Sequence, residues 1–273
     1  MYITAFESKY LWFGHNFDEK PNPDDFQLHF HDTFEIYYFI SGKGTFWVEG
    51  NPYKLHVGDI LIFNMGEAHY IEVSPDLPYE RITINFSKEL LKGNIDFENL
   101  LQSFEMRPHG KNNLFKSTQF TDSFYKRCIK KIEENANGSA EQVISNLLPL
   151  LNEIYNAYQK QQNETLNENI HISSKIIQYI NDNITENITP NDIANNFFIS
   201  RSQLYSLFKE TTGTSVWNFI TVKRLNLAKS QLKDGIHPTK VYLNCGFNDY
   251  TSFFRAYKKH FGISPKCDYK CIK

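Results

Sequence analysis

Two groups of side chains in this sequence have the types and spacing to do chemistry. The first is His29, His31, Glu35, Tyr37 and His69. Residues 29, 31 and 35 share parity, so an extended chain turns them to one face, and His69 does the same in its own run. Three imidazoles and a carboxylate brought together could hydrogen-bond a small effector, and the same donors could hold Mn, Fe, Ni or Zn. A polar pocket is preferred over a metal site. No metal, cofactor or catalytic residue is assigned, and the chain is not expected to be an enzyme. A metal-dependent enzyme or metal sensor is the alternative, and hydrogen-bonded core or rim histidines are the plainest reading.

The second group lies on two helical patterns near the C-terminus. In one, Leu204, Leu207 and Phe208 form an inward stripe, which turns Arg201, Ser202, Tyr205, Ser206 and Lys209 outward. In the other, Phe253 and Tyr257 face in, Ala256 allows close approach, and Tyr250, Thr251, Phe254, Arg255 and Lys258 face out. Short polar and basic side chains opposite an apolar stripe suit a DNA major groove. Arg255 is the candidate for bidentate guanine recognition, and Phe254 for contact with a thymine methyl. Lys209, Lys223, Lys258 and Lys259 are expected to hold phosphates, so that binding falls with salt.

The elements that position these residues can be read around them. Each outward face belongs to a helix-turn-helix pattern, one opening at Thr189-Pro190 and the other at Pro238-Thr239, with Ser200 as a natural N-cap and Gly246 in a tight turn. A helix over 215–233 joins them and spans about 28 Å at 1.5 Å per residue. Its Val216, Phe219, Ile220, Leu225, Ala228 and Leu232 can serve both cores, holding the two reading helices roughly 34 Å apart, about one DNA turn.

Charge follows the same division. From residue 171 onward there are 14 Lys and Arg against 7 Asp and Glu, a net of +7, while residues 1–170 carry −9, within an overall net of −2. A basic half beside an acidic half fits one region that meets phosphates and one that does not.

Residues 28–86 read as short strands: 34–40, 45–49, 53–55, 60–63, 68–73 and 79–86, punctuated by turns such as Ser41-Gly42-Lys43-Gly44. Close spacing predicts a small barrel or jelly roll. Helices are expected over 119–137 and 140–161. In the second, Val143, Leu147, Leu150, Leu151, Ile154 and Tyr158 form a stripe, and Pro149 is a point of kinking. That stripe packs within the chain by default, and a second copy is the other partner it could take. The expected division is a sensing barrel over 1–86, a helical dimerisation segment over 87–160, a linker over 161–170 and a DNA-binding domain over 171–273.

The four cysteines show no zinc-type pairing; Cys267 and Cys271 stand one helical turn apart, and reduced thiols are expected. No signal pattern and no apolar run near 18 residues is present, so a cytoplasmic protein without membrane contact is expected. Tyr37, Trp47 and Trp12, the last from an N-terminal arm, would suit a sugar as effector.

The C-terminal hundred residues resemble the AraC/XylS family of transcription regulators. The resemblance rests on Asp192-Ile193-Ala194, Ser200 with Leu204 and Leu207-Phe208-Lys209, Thr212-Gly213, Arg224-Leu225, Ala228, Leu232, Gly246-Phe247, Phe253, Tyr257-Lys258, Phe261-Gly262 and Ser264-Pro265. Tyr242 departs from it, standing where a small Ala is usual. His29-Phe30-His31, Glu35, Gly42, Gly58, Gly66 and His69 resemble the two motifs of the cupin barrel, departing at Pro23, Asn64 and Val73. The resemblance implies a multidomain chain, with an all-β cupin-like barrel and appended helices followed by an all-α double helix-turn-helix domain. It implies a sequence-specific regulator, an activator responsive to a small molecule such as a carbohydrate. Its expected partners are double-stranded DNA, RNA polymerase and a second copy of itself.

Overall fold

The run Ile60-Leu61-Ile62-Phe63 contains no polar residue because the folded chain covers it on both faces. In the computed structural model, which describes residues 2–93, 95–120, 122–164 and 172–270, the chain divides into two units, 1–169 and 170–273.

The first unit is built on strands β1 (Tyr2–Glu7), β2 (Leu11–Asp18), β3 (Phe34–Ser41), β4 (Gly44–Val48), β5 (Asn51–Lys54), β6 (Ile60–Phe63), β7 (His69–Val73), β8 (Tyr79–Phe86) and β9 (Leu114–Phe115). Antiparallel pairing gives one sheet in the order β1-β2-β8-β3-β6-β9 and a second in the order β5-β4-β7. Side-chain alternation then makes two cores. Tyr37, Phe39, Leu61 and Phe63 meet Phe46, Val48 and Ile71 between the sheets. Phe34, Ile36, Ile60, Ile62, Ile82 and Ile84 point the other way, against helices.

Those helices are α1 (Ile95–Glu98), α2 (Gln102–Glu105), α3 (Phe124–Glu134) and α4 (Ala140–Glu164). The stripe Val143, Leu147, Leu150, Leu151, Ile154 and Tyr158 is wholly buried in this second core. It is therefore used inside the unit. α3 is shorter than the expected 119–137. Phe120 has extended backbone and stacks on Tyr125 with centroids 4.1 Å apart, so the chain covers the core before the helix begins. Residues 161–164, expected in the linker, continue α4, which runs through Pro149; 165–170 lie outside the described residues. The N-terminal segment is also not a free arm, since residues 11–18 pair along their whole length with β8.

A buried ion pair closes this unit. Glu67 and Arg107 are both fully enclosed, and the carboxylate accepts hydrogen bonds from Arg107 Nη1 at 2.7 Å, Asn64 N at 2.8 Å and Asn113 Nδ2 at 3.1 Å. Burial alone would raise the pKa of Glu67. The Arg107 charge and its hydrogen bond, with the Gly110 amide that donates to Oε1 at 2.5 Å, outweigh it and lower the value to about 2.

The second unit is helical: α5 (Ile172–Asp182), α6 (Pro190–Asn196), α7 (Arg201–Thr212), α8 (Val216–Lys233), α9 (Pro238–Asn244), α10 (Tyr250–Phe261) and α11 (Pro265–Lys270). α8 serves two cores, as its stripe predicts. Phe219 meets Phe208 edge-on with centroids 5.2 Å apart, while Leu225, Ala228 and Leu232 pack with Val241, Phe253 and Tyr257. Tyr242 fits by lying half-buried at the rim of the latter core, 5.8 Å from the Tyr250 ring. Among the described residues no helix is long and apolar enough to cross a membrane.

Candidate effector cavity and DNA-reading face

Alternation along two strands sorts the side chains around a cavity of about 400 Å³ in the first unit. In β8, Arg81, Thr83 and Asn85 face it, while Ile82, Ile84 and Phe86 face the helices. In β2, Trp12, Asn16 and Asp18 face it, while Leu11 and Phe13 face the helices. His15, on the helix side, bridges Glu80 at 2.8 Å and Glu133 of α3 at 2.5 Å, and so ties the sheet to α3. A Cβ at Gly14 would stand 2.4 Å from the indole of Trp12, so only glycine lets that ring lie against the backbone. Arg81 is paired with Asp18, and the hydroxyls of Tyr37 and Tyr79 are hydrogen-bonded to each other.

His29, His31, Glu35 and Tyr37 line the cavity as expected, but the chain is not simply extended between them. Asp32 and Thr33 bend, and the three imidazoles converge because 29 bridges 69 through a pair of 3.0 Å backbone hydrogen bonds. His69 does not open on the cavity. It is completely buried behind the wall, its ring stacked on Phe63 with centroids 4.0 Å apart. Trp47 lies away from the cavity too, stacked on Tyr70 at 6.3 Å.

Each imidazole has its Nδ1 on a backbone carbonyl: His29 on Gln27 at 2.9 Å, His31 on Thr33 at 2.9 Å and His69 on Glu67 at 2.8 Å. A carbonyl only accepts, so Nδ1 carries the proton and Nε2 is left to face Glu35. His31 Nε2 donates to Glu35 Oε2 at 2.5 Å, and Asn85 Nδ2 donates to the same oxygen at 3.1 Å. His69 Nε2 stands 3.6 Å from that oxygen and has no hydrogen-bond partner. Burial would raise the Glu35 pKa, but the His31 hydrogen bond and the neighbouring His69 hold it well below the usual carboxylate range. Burial would lower His31, and its bond to Glu35 raises it instead. Desolvation in the wall, then the His69 ring, lowers His29. The charged form is thus disfavoured at His29 and favoured at His31, where Glu35 accepts from the ring.

In the second unit α7 and α10 start and stop on local signals. Ser200 Oγ accepts from Gln203 N at 3.2 Å while Gln203 Oε1 accepts from Ser200 N at 2.8 Å, and Asp249 accepts from Ser252 N at 2.8 Å. Both helices end at glycines in the left-handed region, Gly213 and Gly262. Leu204, Phe208, Phe253 and Tyr257 are buried. Arg201, Ser202, Tyr205, Ser206 and Lys209 are exposed on α7; Tyr250, Thr251, Arg255 and Lys258 are exposed on α10. Phe254 is half-buried rather than open, its ring 6.1 Å from that of Tyr250.

Lys223 is a correction. It is buried on α8 with its ammonium 5.5 Å from the Phe219 ring centre, so it is turned to the core and not to phosphate. Arg224 is structural as well, donating to the carbonyls of Ile184 at 2.8 Å and Glu186 at 2.6 Å.

The fold and these two sites define a DNA-binding regulator with its own ligand-binding domain. Residues 18–170 match the AraC-like ligand binding domain, and residues 193–268 match a helix-turn-helix domain. The chain belongs to the AraC family of transcriptional regulators. It is 22% identical over 237 residues to the Msm operon regulatory protein of Streptococcus mutans, covering 86% of this chain and 83% of that one. It is 25% identical over 282 residues to the raffinose operon transcriptional regulatory protein RafR of Pediococcus pentosaceus, covering 98% and 95%. It is 26% identical over 248 residues to the transcriptional activator RhaS of Mannheimia succiniciproducens, covering 88% of each.

Proposed function

We propose that this regulator is a transcription activator switched by a carbohydrate held in the cavity of the first unit. The observation that carries this reading is the Trp12 indole lying over Gly14 beside Asn16, Asp18, Arg81 and Asn85. A flat apolar face ringed by donors and acceptors suits a sugar, which has apolar C–H faces and polar edges. The raffinose-operon and RhaS relatives support the effector class and the activator role respectively. His29, His31, Glu35 and Tyr37 complete the pocket, and His69 backs it. Arg201, Ser202, Tyr205 and Ser206 on α7, with Tyr250, Thr251, Phe254 and Arg255 on α10, read bases, and Lys209, Lys258 and Lys259 hold phosphates. The protein works in the cytoplasm, as a homodimer that engages RNA polymerase. It is not an enzyme. Effector binding shifts which spacing of DNA sites the dimer can occupy. Titration with raffinose and its component sugars, read by thermal stability, tests this. One sugar should raise Tm in a saturable way, and Trp12→Ala should abolish the shift; a panel with no saturable shift would refute the carbohydrate assignment.

A second reading is favoured by one observation, the unpartnered Nε2 of His69. His29, Glu35 and His69 offer donor atoms within 4.8 Å of one another, with each Nδ1 already tied to a carbonyl as metal-bound histidines commonly are. His29 and His69 with Glu35 would hold a divalent ion, and His31 would orient the carboxylate. Metal analysis of protein purified without chelator tests it: stoichiometric metal lost in His69→Ala supports this reading, and metal-free protein removes it.

A further inference from the structure

Phe198 lies two residues before Ser200, the N-cap of α7, in the turn of the first helix-turn-helix. Its backbone is left-handed, at φ 54°, a region that a residue bearing a Cβ rarely occupies. Its ring is 96% exposed, more than any other large apolar side chain described. The adjacent Phe197 behaves oppositely, packing edge-on against Tyr179 at 5.8 Å. The equivalent turn of the second helix-turn-helix has the same left-handed residue, at φ 76°, and there it is Gly246. Both turns are closed by the same pattern, with Phe198 N on Asn195 O and Ile199 N on Ala194 O in one, and Gly246 N on Leu243 O and Phe247 N on Tyr242 O in the other. A glycine would therefore make the first turn without strain. Among the described residues of its own unit, phenylalanine there gains no packing, so its ring is free to meet a bound partner.

We propose that Phe198 is a specificity-determining DNA contact that lays its ring on a thymine C5-methyl group where α7 enters the major groove. The inference rests on the DNA-reading role given above. The end of α7 that enters a groove first is its N-terminus, flanked by the exposed Arg201 and Ser202, and the thymine methyl is the apolar feature of the groove edge. The net +7 of residues 171–273 also favours a phosphate-bearing partner over an apolar protein surface.

The test uses the full chain and a duplex that the wild type selects from random DNA. Phe198→Gly should raise Tm, which excludes misfolding, while weakening binding to that duplex about 5- to 10-fold and leaving random duplex unchanged. Replacing thymines one at a time by deoxyuridine, which lacks the methyl, should cost the wild type several-fold at one position and cost the variant nothing there. Phe198→Leu should keep most of the selectivity. Unchanged affinity and deoxyuridine profile in Phe198→Gly overturn the proposal; reporter transcription falling while DNA binding holds would do so too, pointing to a protein contact. Arg255→Ala is the control for the reading beneath. A wild type that selects no duplex sinks both, whereas a selective wild type sensitive at Arg255 and indifferent at Phe198 sinks the Phe198 contact alone.

Discussion

The two helix-turn-helix units of the second domain have nearly the same backbone and opposite surroundings. Each opens with a proline at the first helical position, Pro190 or Pro238, each turns through a left-handed residue, and each reading helix ends at a left-handed glycine. They differ in what sits around the turn. A Cβ on Gly246 would stand 2.8 Å from the carbonyl oxygen of Thr185 and 3.0 Å from Arg224 Nε, which itself holds the carbonyl of Ile184. No side chain fits there. At Phe198 the surroundings are open, and a ring projects to solvent. The outward faces share an arginine, a tyrosine and a lysine; they differ in that α7 adds two serines while α10 adds Thr251 and the half-buried Phe254 ring beside Tyr250. Hydrogen bonding thus fixes the shape of such a turn, and the local space decides which residue may occupy it.

Substitutions at the turns test this contrast first. Gly246→Ala forces a Cβ onto backbone and onto a left-handed φ together, and should destabilise the second unit by roughly 2–4 kcal/mol, read by chemical unfolding. A loss below about 0.5 kcal/mol would mean that the Thr185 segment yields freely and that the asymmetry is not steric. Phe198→Gly should act in the other direction, stabilising by about 1 kcal/mol through relief of the left-handed strain, offset in part by backbone entropy. Equal destabilisation at both turns would break the comparison. The smallest effect concerns the caps. Burial contributes little at Asp249; its hydrogen bonds with Ser252 hold its pKa below the ordinary value of 3.8. A depressed folded pKa means stability present above the unfolded value and lost as pH falls through the folded one. Acidifying below pH 3.8 should therefore fray the start of α10 and leave that of α7, capped by the non-titrating Ser200, unchanged. Backbone amide exchange at Ser252 and Gln203 would show it.

Much of this architecture is legible in the sequence, for physical reasons that can be named. α8 declares itself because one stripe at helical spacing must serve two cores, and the reading helices because Ser200, Gly213 and Gly262 mark their ends. β2 is harder. Leu11 and Phe13 face one core while Trp12, Asn16 and Asp18 face the cavity, so neither face is plainly polar. The alternation of Arg81, Thr83 and Asn85 with Ile82 and Ile84 was the available signal for the cavity wall. Lys223 shows the limit of reading residue type, since its charge suggests phosphate while its stem and ammonium lie along the core. His69 shows the limit of parity, which places a side chain on a face but not at the opening of a pocket.

The central claim is that two exposed helix faces in the second unit read a specific DNA sequence. Fluorescence anisotropy of wild type and Arg255→Ala, on a duplex selected by the wild type and on its single-base variants, tests it most directly. The variant should lose about 1–3 kcal/mol of binding and become indifferent to one base position. Equal weakening on every duplex, or no preference by the wild type at moderate salt, would contradict it.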